Sequence, residues 1–127
     1  VSNAHWSPRA SRKVTEGIKK LLKQQQSPTQ LAEAWNSVPL LLLFDWFCDW
    51  SHLILRYQLT QDEDGLGLAD MRKVLQYLAQ KSRQSRVLEM QAWILEQRQK
   101  VIGKANLNRV LLLEALLAHW LQLPGAR

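Results

Sequence analysis

A chain of 127 residues with 46% apolar side chains is sized for one domain around a single hydrophobic core. The lone cysteine, Cys48, excludes an internal disulfide, and no Cys/His spacing fits zinc, so a reducing cytoplasm is the expected setting. The net charge of +6 is unevenly spread, with six basic and one acidic side chain in residues 1–26, three and seven in 27–78, and seven and two in 79–109.

The N-terminus is polar and basic, without the apolar run of a secretory leader. Ser2-Asn3-Ala4 has the pattern of an expression-tag scar. Residues 1–6 are therefore set aside as a disordered lead-in, and a fragment of a longer protein is expected, with residues 7–127 as its single helical domain. Ser7-Pro8 starts the first helix, serine as cap and proline at the first helical position, where its missing N–H costs nothing. Val14, Ile18, Leu21 and Leu22 then form an apolar stripe, and the Gln24-Gln25-Gln26 run closes the helix. Arg12, Lys13, Lys19, Lys20 and Lys23 lie mostly off that stripe and form a candidate basic surface. No aromatic is interleaved with these residues as a base-stacking platform would require, so a solvated, mildly basic surface is the favoured reading.

Ser27-Pro28-Thr29-Gln30 repeats the start signal, with glutamine at the capping-box position. Leu31, Ala34, Trp35 and Val38 give the stripe of a short second helix. Pro39 opens the third, Leu40 to about Gln58, the most apolar segment of the chain. Its length would suit a membrane span, but Asp45, Asp49, His52 and Arg56 form a polar stripe along it. The segment therefore reads as the central post of a bundle. Asp45, Asp49 and His52 could ligate a divalent ion, although no further ligand is evident, and a solvent-facing edge explains them as well.

Gln61 to Gly67 is a connector that resembles a calcium loop superficially, but either glycine register places Met71 or Lys73 at the bidentate position. A fourth helix is expected from about Leu68 to Lys81, and a fifth from Ser82 or Ser85 to Gly103. The fifth helix has an apolar face of Val87, Leu88, Met90, Ile94, Leu95, Val101 and Ile102, with Gln91 and Arg98 at its middle. Trp93 falls on the opposite, charged side, either as a partner contact or folded over its own helix. Asn108, with Asn106 as rival, caps the last helix, and Pro124-Gly125 ends it. Val110, Leu112, Leu113, Leu116, Leu117, Trp120, Leu121 and Leu123 cover well over half its circumference. A helix that apolar must be buried on several sides, so part of its surface is expected to await another subunit.

No strand pattern and no repeat is present, so the fold class is all-α, a single bundle of about six helices. Phosphate loops, nucleophile elbows and zinc-protease motifs are also missing, and His5, His52 and His119 are scattered, so catalysis is not expected.

The terminal segment, Asn108-Arg109 followed by Leu111-Leu112-Leu113-Glu114, the Leu116-Leu117 pair and Trp120, resembles the last helix of a clamp-loader subunit. The helix order of nearly the whole chain is similar to the C-terminal domain of the bacterial DNA polymerase III delta-prime family, an architecture that gamma/tau subunits share. That resemblance implies a collar domain, through which five subunits join in a ring that loads the sliding clamp. It implies delta and gamma/tau subunits as partners, with possible weak DNA contact, no membrane, no small-molecule substrate and no cofactor in this chain. It places ATP-binding AAA+ modules, an arginine finger and a zinc module elsewhere, so no catalytic residue is carried over. Together with the surplus apolar surface, it points to Trp93, Arg98, Arg109, Leu112 and Leu116 as the candidate subunit interface.

Overall fold

In the computed structural model, which describes residues 8–66, 69–103 and 106–125, six α-helices and no strand are found among the described residues. They are α1 (Pro8–Leu22), α2 (Pro28–Ala34), α3 (Leu40–Thr60), α4 (Ala69–Lys81), α5 (Gln84–Ile102) and α6 (Arg109–Gln122). The expected lead-in and Ser7 lie outside the described residues, as does Leu68.

Local chemistry explains the boundaries. Gln24 takes a left-handed conformation, φ 61°, while its N–H donates to Leu21 O and that of Gln25 to Lys20 O, a Schellman closure of α1. Ser27 and Gln30 form the expected reciprocal capping box at the start of α2. Asn108 Oδ1 accepts from Leu111 N–H at 3.1 Å, which decides between the two asparagines at the start of α6. The expected serine cap of α5 is absent, because Arg83 occupies that position without a side-chain bond. The acidic connector contains a short 3-10 turn, Glu63–Leu66.

Helix α3 is the post of the bundle. It packs most extensively on α5, then on α4, while α6 packs on α2. Phe44, Phe47, Ile54 and Leu43 are fully buried along α3, and Phe47 and Trp120 meet edge-on with centroids 5.1 Å apart. Gln58 fastens the end of α4 to α3 by donating to Ala79 O and Ser82 O, each at 3.1 Å. Among the described residues no helix is long and apolar enough to cross a membrane.

Candidate subunit interface

The α5 helix carries the informative geometry. Its buried residues are Val87, Met90, Ile94 and Gln97, spaced 3, 4 and 3 apart, with Val101 continuing the row half-buried. At 100° per residue, this places the centre of the packed face roughly 60° from the centre of the helix's apolar sector. The face expected from sequence is therefore split. Leu88, Leu95 and Ile102, at seven-residue spacing, are 50%, 45% and 46% exposed. Only one flank of α5 is covered by α3 and α6, and the leucine flank is left open. Over two heptads such a row drifts by only about 40°, so the three side chains form one ridge. Ala92 is exposed beside it.

The same rotation carries Trp93 inward. Its ring lies 4.4 Å from that of His119 on α6 and 6.4 Å from that of Phe44 on α3, centroid to centroid. Trp93 thus wedges three helices together instead of standing on a charged outer face. Burial, with the charge of Arg86 adding to it, pushes the His119 imidazole below its usual pKa.

Arg98 is brought to Asp45 across the α3–α5 seam, with Nε donating to Oδ1 at 2.5 Å. That bond raises the guanidinium's pKa. Asp45 is therefore occupied, while Asp49 and His52 are exposed, and no group of three metal-ligating side chains is assembled among the described residues. Partial desolvation beside the helix seam raises the Asp49 carboxyl's pKa, with the charge of Asp45 adding to it.

Arg109 faces inward as well. One guanidinium nitrogen donates to Trp35 O at 2.7 Å and to Val38 O, clasping the C-terminal end of α2 from the first turn of α6. Burial lowers the guanidinium's pKa. Leu112 and Leu116 are core residues, 9% and 0% exposed. They belong to this chain's own core cluster, and α6 packs on α2. The apolar surplus of α6 is confined to its first turn, at Val110 and Leu111, the latter 62% exposed. The ridge on α5 is the feature that sequence reasoning missed. Its seven-residue spacing was visible, but it read as part of the core face.

Of the basic candidates, Arg12, Lys13, Lys20 and Lys23 are exposed, while Lys19 is half-exposed and 3.7 Å from Glu16.

Residues 5–122 match the family described as DNA polymerase III, delta subunit, C terminal. The chain belongs to that family. It is 73% identical over 112 residues to the DNA polymerase III subunit delta' of Pseudomonas aeruginosa, covering 88% of this chain and 34% of that protein. This delta'-type C-terminal domain thus spans about a third of the length of its curated relative. No solved structure matches it. Among the described residues this all-helical domain exposes an aliphatic ridge on α5, its longest helix after α3.

Proposed function

We propose that this is a non-catalytic oligomerisation domain of a delta'-like clamp-loader subunit, acting in the cytoplasm and without a cofactor of its own. It joins delta and gamma/tau subunits in a collar, while ATP-driven opening and loading of the sliding clamp on primed DNA fall to modules outside this chain. The observation that carries the assembly reading is the ridge of Leu88, Leu95 and Ile102, three half-exposed aliphatic side chains aligned on one helix. Covering the remaining half of each would contribute about 1 kcal/mol per residue, enough for such a row to steer association. Arg98 lies on α5 between the ridge and the packed face and is tied to Asp45 of α3, Trp93 packs on the far side of the helix against Phe44 and His119, and Val110 and Leu111 offer a second apolar edge.

The test is size-exclusion chromatography with light scattering of the chain mixed with delta and gamma/tau subunits from the same cell. The wild-type chain is expected to enter a defined hetero-assembly, and the double variant Leu88→Gln/Leu95→Gln to remain folded but be left out. Equal incorporation of the variant removes the ridge from the interface, and no incorporation of either chain overturns the collar reading itself.

A further inference from the structure

The basic face of α1 gains in three dimensions what it lacks in sequence. A groove of about 500 Å³ lies between α1 and α4, lined by Lys19, Leu22 and Lys23 from the one and Lys73, Val74 and Tyr77 from the other. Its volume falls within the roughly 300–1,000 Å³ of typical small-ligand sites. Three of its six lining residues are lysines and none is acidic; Glu16 engages Lys19 alone, from an exposed position at 3.7 Å. The floor is apolar, with Val74 buried and Leu22 half-buried, and Tyr77 is 45% exposed at the rim.

The rows continue beyond the groove. Arg12 precedes Lys19 by seven residues on α1, and Lys81 follows Tyr77 by four on α4, so each helix prolongs a positive track at helical spacing. A single-stranded nucleic acid presents what these side chains match: regularly spaced phosphates for the lysines, and flat apolar bases for a tyrosine ring and an aliphatic floor. An acidic peptide would match the lysines but leave the exposed ring without a stacking partner. We infer that the α1–α4 groove of Lys19, Lys23, Lys73 and Tyr77 is a contact site for single-stranded nucleic acid. It is distinct from the leucine ridge on α5 and stands or falls separately from the assembly reading.

Three phosphate contacts on a single strand give a slope of log affinity against log salt of about −2, so raising salt from 50 to 200 mM weakens binding about 20-fold. The probe is a fluorescein-labelled 12-mer of oligothymidylate, followed by anisotropy with the 127-residue chain. Lys23→Gln and Lys73→Gln are each expected to weaken binding and flatten the slope by about 0.7. Tyr77→Ala is expected to weaken it about fivefold or more, with Tyr77→Phe retaining affinity because the ring face is kept. Lys100→Gln, whose side chain is paired with Glu96 at 3.9 Å, is the control and should change nothing. Circular dichroism shows that each variant stays helical, and the α5 ridge variants should bind the oligonucleotide unchanged. The inference is overturned by absence of binding at 50 mM salt, or by groove variants that behave like Lys100→Gln. It is overturned equally if a glutamate-rich peptide binds through these residues and the oligonucleotide does not.

Discussion

Replacing Arg109 by methionine is expected to loosen the whole α2–α6 seam. The guanidinium makes two charge-assisted bonds, to Trp35 O and Val38 O, and bonds of that kind contribute about 1.5–3 kcal/mol each. Trp35 O retains a second donor, the Val38 N–H at 2.9 Å, so its loss is the milder one. Two effects of helix ends oppose each other and roughly cancel: the cation favours the C-terminal carbonyls of α2 but is tethered to the N-terminal turn of α6. Methionine keeps the apolar bulk and removes a buried Nε that has no bond among the described residues, which returns part of the loss. The net expectation is a destabilisation of about 2–3 kcal/mol, with Arg109→Lys intermediate because it keeps the charge without the fork. Urea denaturation followed by far-ultraviolet circular dichroism measures it, with the m-value expected to stay constant. A change below about 0.5 kcal/mol, accompanied by loss of hetero-assembly, would refute the reasoning. It would return Arg109 to the interface where its place in the sequence motif first put it.

Gly17→Ala on α1 should destabilise despite the higher helix propensity of alanine. A Cβ there meets Trp35 Cζ2 at 2.8 Å and Leu31 Cδ2 at 2.9 Å, and both side chains are 1% exposed. Overpacking of about 1–3 kcal/mol outweighs a propensity gain of about 1 kcal/mol; a raised melting temperature would show that α1 and α2 separate more easily than their packing implies. His119 gives a pH dependence of definite sign. Its folded pKa is depressed, so the unfolded chain takes up a proton first, near pH 6.5, and stability present above that pH declines as pH falls towards the folded value. Wild-type protein should therefore lose more melting temperature between pH 7.5 and 5.5 than His119→Gln, and parallel slopes would remove the histidine from that account.

How much of this was legible in the sequence depends on the range of the interaction. Ser27 with Gln30, Pro39, and Asn108 act over one helical turn, so the starts of three helices could be read from neighbouring residues. The Gln24 closure of α1 is local too. The missing serine cap of α5 shows the limit even there, since a cap residue must also adopt the right backbone and orientation.

The composition of α6 and the motif around Asn108-Arg109 were enough to determine the family and an all-helical bundle, because both depend on residue identity and spacing along one chain segment. The direction in which each helix faces was decided only by the tertiary structure. On α5, periodicity defined an apolar sector wider than one neighbour can cover, and the position of α3, with His119 of α6 against Trp93, selected which part of it is buried. Trp93 thereby turned inward and Leu88, Leu95 and Ile102 outward. Arg109 found its carbonyls more than seventy residues upstream, and Tyr77 came to line one groove with Lys19 and Lys23 of another helix. Such pairings are set by packing between segments distant in sequence, where local spacing carries no signal.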